Sequence, residues 1–317
     1  MTFTISPYLK LLRVPNLAII ILTQYLIRFC VIKPVLQLYG VNLTFGEPDF
    51  ALLVLSTILI AAAGYIINDY FDIQIDAYNK PDKLIVGKKV KIGTAKSIYA
   101  ILNGIAFIIG FYLAIKVNAF QLGFIFVMIA IMLWYYSAKY KRQIFWGNLV
   151  VAILSALVLL IVWIFEFFSL QLSPIDFIDA YRSIKIINII IWSYSLFAFM
   201  VTLIREMIKD IQDIEGDSKF GCRTLAVVFG VRVTKYITIT LIIICILIMA
   251  YSQYHLFIEN FTIIFWYLLI VIQPLFIYLL INVIRSKNKD NYRFSSNLSK
   301  IIMLAGILSM QLVYISF

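Results

Sequence analysis

The stretch ALLVLSTILIAAAGYIINDYFDIQID, residues 51–76, joins a long apolar run to three regularly placed acids, Asp69, Asp72 and Asp76. The run is long enough to cross a bilayer as a helix, because about 20 apolar residues rising 1.5 Å each span the hydrocarbon. The same join recurs in WSYSLFAFMVTLIREMIKDIQDIEGD, residues 192–217, which ends on Asp210, Asp213 and Asp217. Both triplets read DxxDxxxD. On a continuous helix, positions i, i+3 and i+7 fall within roughly a 60° arc. Each triplet therefore predicts one acidic face at the end of an apolar helix.

Composition agrees with a membrane chain. Hydrophobic residues make up 63% of the 317 and charged residues 14%, against about half and about a quarter in an ordinary soluble domain. The hydropathy pattern predicts an all-α, polytopic membrane helix bundle of about nine spans, near residues 16–36, 50–71, 96–115, 119–136, 145–167, 184–208, 234–251, 262–284 and 298–316. The first of these is read as a span and not a cleavable leader, because it is bilayer-length and no small-x-small site follows it. No hydrophilic domain interrupts the series, so residues 1–317 read as one membrane domain. The shared spacing of the segments 68–83 and 205–223, after spans two and six, suggests a duplicated four-helix unit followed by a ninth helix.

A net charge of +11 could indicate a nucleic-acid partner, but its distribution argues for topology instead. Nine spans place only Arg28, Lys33, Lys116, Arg182 and Lys185 on one side, and the remaining 22 of the 27 lysines and arginines on the other. That asymmetry is the positive-inside pattern. It predicts an integral protein of the cytoplasmic membrane, in contact with lipid, with its N-terminus and both acidic motifs on the cytoplasmic side. No nucleic-acid partner and no obligate protein partner is implied. Cys30, Cys222 and Cys245 lack metal-ligand spacing, and the lone His255 falls in a predicted outer loop. Neither a zinc site nor a histidine-based triad is expected.

Acids followed closely by bases suit a metal–diphosphate site. A diphosphate beside six carboxylates is repelled unless cations lie between them; two like unit charges 4 Å apart repel by about 4 kcal/mol at an effective dielectric near 20. Mg2+ takes carboxylate and phosphate oxygens and keeps waters, so two or three acids per ion suffice. Asn68 lies beside the first acidic arc and can add a neutral oxygen or a hydrogen bond, and Glu206 shares the face of Asp210. Bases that could neutralise phosphate follow at Lys80 and Lys83, and at Lys219 and Arg223. A third basic segment, LWYYSAKYKRQIFWGN (133–148), offers Tyr136, Lys141 and Arg142, though a topology-setting turn with interfacial aromatics would look the same. Asn16, Asn103 and Asn148 are expected to face the bundle interior, since unsatisfied amides are costly in lipid.

These residues resemble the UbiA superfamily of intramembrane prenyltransferases. Asn68, Asp69, Asp72 and Asp76 match its NDxxDxxxD motif, and Asp210, Asp213 and Asp217 its second DxxDxxxD. Tyr136 to Arg142 and Arg13 to Asn16 fit as well. The resemblance implies Mg2+-dependent transfer of a prenyl group from a prenyl diphosphate to an acceptor, with both motifs binding metal and diphosphate. Where many members read NRPxRP, this chain has Asn79-Lys80-Pro81-Asp82-Lys83-Leu84, and lysine keeps the charge without arginine's planar fork. The windows around both motifs look most like the branch that prenylates geranylgeranylglycerol phosphate, which would make the acceptor a lipid and the product a diether precursor. The quinone branch, which prenylates 4-hydroxybenzoate or dihydroxynaphthoate, shares the metal motifs. A cation-coupled secondary transporter is the reading from another class, but transporters place such acids near the midplane and not at helix ends.

Overall fold

Two of the seven prolines, Pro34 and Pro274, lie inside apolar runs, and each leaves a mark on its helix. Proline donates no backbone hydrogen bond, and its ring presses on the carbonyl four residues back. Directly before Lys33-Pro34 and Gln273-Pro274 the helix widens into π turns, Ile27–Ile32 and Leu268–Ile272. The looser winding relieves the clash without ending the span.

The computed structural model describes residues 7–74, 77 and 84–316. Among these, nine helical segments are long and apolar enough to cross a membrane. They are Val14–Gln37 (span 1), Glu47–Phe71 (span 2), Ile92–Lys116 (span 3), Phe120–Ala138 (span 4), Trp146–Leu170 (span 5), Tyr181–Gln212 (span 6), Leu225–Ile258 (span 7), Thr262–Arg285 (span 8) and Lys289–Ser316 (span 9). All nine lie where hydropathy places them. Several run past their apolar windows, because polar and charged residues continue a helix as readily as leucine does once water can reach them. Span 7 is interrupted at Gly230, whose φ of +80° breaks the helix between its first turn and the rest.

Packing groups the chain into two units. The first comprises residues 1–24, 43–141 and 161–178, and so carries spans 2, 3 and 4. Here glycines let helices approach. A Cβ on Gly110 of span 3 would lie 2.4 Å from the ring of Phe126 in span 4, and one on Gly64 of span 2 would lie 2.9 Å from Leu133. Lipid tails are as apolar as leucine, so such close van der Waals contact replaces the hydrophobic drive of water. Ser56 adds a hydrogen bond from span 2 to the carbonyl of Ala106 in span 3 at 2.9 Å.

The second unit comprises residues 25–42, 142–160 and 179–317, and carries spans 6 to 9. Its buried core joins Val201, Ile204 and Ile208 of span 6 to Phe276 and Leu279 of span 8 and Ile302 of span 9. Tyr194 of span 6 shares a hydrogen bond with Ser309 of span 9 at 2.8 Å, which satisfies two hydroxyls away from water. Each unit contains one of the acidic motifs.

Candidate active site

Both acidic motifs begin on a helix and leave it at their middle aspartate. Span 2 ends at Phe71, and Asp72 follows as its C-cap with φ −91° and ψ 1°. Span 6 ends at Gln212, and Asp213 follows with φ −100° and ψ 8°. The two caps are closed alike, by Asp72 N–H to the carbonyl of Asn68 at 3.0 Å and by Asp213 N–H to that of Lys209 at 2.9 Å. The expected single acidic arc is thereby corrected for the second motif: Asp210 lies on span 6, Asp213 at the break, and Asp217 on a separate short helix, Ile214–Lys219. In the first motif Asp69 is on the helix and Asp72 off it, while Asp76 lies outside the described residues. Aspartate is a poor interior helix residue because it competes for backbone groups. At a C-terminus it also adds charge to the negative pole of the helix dipole. The result at each end is a pull on cations.

At the end of span 2 that pull is met by side chains. Arg13 donates to Asp69 at 2.8 Å and lies over the ring of Tyr65, 4.9 Å from its centre. Lys141 pairs with the buried Asp72 and reaches Asn68 Oδ1 at 3.5 Å. Asn68 in turn donates its amide to Asp72 at 3.0 Å, so here it acts as a hydrogen-bond donor to the motif. Tyr136 is half-buried near the end of span 4. Lys80 and Lys83 lie outside the described residues.

At the end of span 6 the arrangement differs. The buried Asn148 of span 5 donates to Asp210 at 2.7 Å. Glu206, one turn before Asp210 on the same helix as expected, pairs with Arg205 at 2.6 Å and Lys209 at 3.1 Å. Asp213 has no side-chain hydrogen bond or ion pair among the described residues. Lys219 ends the short helix and is exposed, as are Arg142 and Arg223. The backbone brings those two arginines together, with Arg223 N–H donating to the carbonyl of Arg142 at 2.8 Å.

The sequence did not single out Arg13 as a partner of Asp69, nor Asn148 as a partner of Asp210. The signal available was position, since each stands at the start of a span on the side where a motif ends. Of the three asparagines expected inside, Asn103 and Asn148 are buried and Asn16 is exposed. Asn16 occupies the first turn of span 1, where its amide can reach water and need not be paired.

The donor chemistry fits Mg2+. The groups presented are carboxylate and amide oxygens, the hard ligands this ion takes, and the guanidinium of Arg13 and ammonium of Lys141 already seat positive charge on them. Among the described residues no three acidic, histidine or cysteine side chains converge to cage a metal. Mg2+ does not require one, because it binds through one or two carboxylates with waters and phosphate.

Residues 36–301 match the model of the UbiA prenyltransferase family. The chain belongs to that family. Among its relatives, the digeranylgeranylglyceryl phosphate synthase of Saccharolobus solfataricus is 32% identical over 263 residues, 82% of each chain. That of Methanosphaera stadtmanae is 27% identical over 305 residues, 96% of this chain and 97% of the other. Among UbiA-like solved structures, one concerned with digeranylgeranylglyceryl phosphate synthase in membranes superposes with a TM-score of 0.62 at 23% identity, covering 98% of both chains. A UbiA homologue from Archaeoglobus fulgidus, bound to DMAPP and Mg2+, gives 0.52 at 18% identity, covering 96% of this chain and 99% of the other. At such identities the two structures speak to the fold, and the family together with the nine apolar helices among the described residues marks an integral membrane protein.

Proposed function

We propose that this UbiA-family protein transfers a geranylgeranyl group from its diphosphate to geranylgeranylglyceryl phosphate, forming a diether lipid precursor. The observation that carries the reading is the doubled carboxylate motif at two helix C-termini, with basic side chains already seated on the first copy. Identity of 32% over most of a synthase chain supports the lipid acceptor. In the proposed reaction the C1–O bond of the allylic diphosphate breaks and pyrophosphate leaves with the electron pair. The acceptor hydroxyl oxygen then bonds to C1 and gives up its proton.

Mg2+, when bound, supplies charge that neutralises the diphosphate and its departing pyrophosphate. Asp69, Asp72, Asp76, Asp210, Asp213 and Asp217 would hold it, with Asn68 orienting Asp72. Lys141, Arg142, Lys219 and Arg223, together with Lys80 and Lys83, would bind phosphate oxygens, and Tyr136 would border the reacting carbon. The lysine and arginine asymmetry of the loops supports a cytoplasmic membrane location with both motifs on the cytoplasmic side. The like closure of Asp72 and Asp213 supports descent from a duplicated four-helix half.

The test is a product assay. Purified protein, Mg2+ and labelled prenyl diphosphates of several lengths are incubated with geranylgeranylglyceryl phosphate, 4-hydroxybenzoate or dihydroxynaphthoate, and products are identified by mass. A diether phosphate is expected. Prenylated aromatics alone would move the protein to the quinone branch, and ion-driven solute uptake with no prenyl product would remove it from catalysis.

A further inference from the structure

Arg13 is built unlike an ordinary surface arginine. It ends the short helix Pro7–Leu11 by donating its N–H to the carbonyl of Lys10 at 3.1 Å, and its own carbonyl opens span 1 by accepting from Asn16 at 2.8 Å. Between the two it takes a φ of +52°, the left-handed region that a residue with a Cβ enters at a cost of roughly 1 kcal/mol or more. Leu11, two residues earlier, is buried against Ile66, Val86, Val90 and Ala95. This anchors the turn to span 2 and to the segment following the first motif. The strained turn aims the guanidinium at Asp69, the first carboxylate of that motif, while Tyr65 supports its face.

We propose that Arg13 is a positioning residue that competes with metal for Asp69: it holds the carboxylate until a diphosphate arrives, and then passes to the phosphate oxygens. This rests on the metal–diphosphate reading of the motif and assigns Arg13, outside the matched stretch 36–301, a part in it. Three observations converge on the exchange. The guanidinium makes a charge-assisted bond to one carboxylate oxygen and is not locked in a two-bond fork. Its side chain is 41% exposed, so it can swing. A planar guanidinium also matches phosphate as well as it matches carboxylate. Metal arriving alone must displace a cation, whereas metal arriving with diphosphate offers that cation a new anion. The first motif is thereby biased against loading with metal in the absence of substrate.

The test is Mn2+ binding to the full chain in detergent, read by electron paramagnetic resonance, for the wild type, Arg13→Gln, Arg13→Lys and Asp69→Asn. Without diphosphate, Arg13→Gln should bind Mn2+ tighter, on the order of fivefold, the size of a part-exposed ion pair. Arg13→Lys keeps the charge but loses the fork, and should gain less. Inorganic pyrophosphate should abolish or reverse the advantage, and so should combining Asp69→Asn with Arg13→Gln in one chain. A merely structural role predicts weaker binding on substitution, not tighter. Equal or weaker Mn2+ affinity in both Arg13 variants overturns the proposal alone. No Mn2+ binding by any form, wild type included, overturns the metal reading with it.

Discussion

Asn148 donates its amide to Asp210 at 2.7 Å, fastening the start of span 5 to the end of span 6. Arg13 does the same between the start of span 1 and the end of span 2, through Asp69. In both places a residue of positive φ opens the helix, Arg13 itself at +52° and Phe145 at +65°. Each carries the carbonyl that accepts the first i+4 bond, from Leu17 and Leu149. The first aspartate of each motif is thus held by a side chain from a tightly turned helix start, a cation in one case and a neutral amide in the other.

Replacing Asn148 should expose this dependence. Asn148→Ala removes a hydrogen bond to a charged group and should cost about 1.5–3 kcal/mol, read as a lower thermal midpoint together with slower prenyl transfer. Asn148→Asp sets two carboxylates against each other and should be worse than alanine on both measures. Equal effects of the two would mean that Asp210 is not charged there.

Asp72 and Asp213 occupy like positions but have different surroundings, and substitution should separate them. Asp213→Ala should reduce transfer by roughly 100-fold or more with little change in thermal midpoint, since its side chain has no partner among the described residues. Asp72→Ala should lose activity equally and stability as well, because the ion pair between Asp72 and Lys141 is lost. Full activity in either variant would remove the aspartates from the reaction.

Lys141→Ala should destabilise by an amount between the roughly 0.2–1 kcal/mol of an exposed pair and the about 3–5 kcal/mol of a fully buried one. Adding Asp72→Asn should restore much of the midpoint and none of the activity. Recovery of both would make the pair structural only.

Removal of divalent metal should stop transfer, and Mg2+ should restore it. Lys116→Met serves as the control at the other end of span 2, where Lys116 pairs with Asp49 at 2.7 Å. Product formation per folded molecule should be unchanged in that variant.

Gly110→Ala should show how closely spans 3 and 4 pack. The added methyl meets the ring of Phe126, which is fully buried and packs on Phe165 with ring centres 5.9 Å apart. A loss of about 1–3 kcal/mol is expected, visible as a lower midpoint in detergent.

The spans and the two motifs were legible because both are local. An apolar run as long as residues 51–67 admits one solution in lipid, and DxxDxxxD is visible wherever it stands. The helix breaks at Asp72 and Asp213 were not legible. Positions i, i+3 and i+7 share an arc only on a continuous helix, and an aspartate ends one only when the following chain has somewhere else to go. Glu206 does share a continuous helix with Asp210, four residues on, but its ion pairs with Arg205 and Lys209 could not be read from that spacing. Arg13 with Asp69 and Asn148 with Asp210 join residues more than fifty positions apart. Nothing in local pattern reports such pairs, and the same limit made Asn16 look equivalent to Asn148.

The helix ends at Asp72 and Asp213 also set a depth. At 1.5 Å per residue, the 25 residues of Glu47–Phe71 extend about 37 Å, against roughly 30 Å of hydrocarbon. The 32 residues of Tyr181–Gln212 extend about 48 Å. Both helices are thus longer than the hydrocarbon is thick, and in the proposed orientation their acidic C-terminal ends would stand at the level of the phospholipid headgroups. On the proposed function, a prenyl diphosphate drifting in the plane of a leaflet would meet them without sinking its charge into oil or lifting its tail into water. Its search for the enzyme would then be two-dimensional.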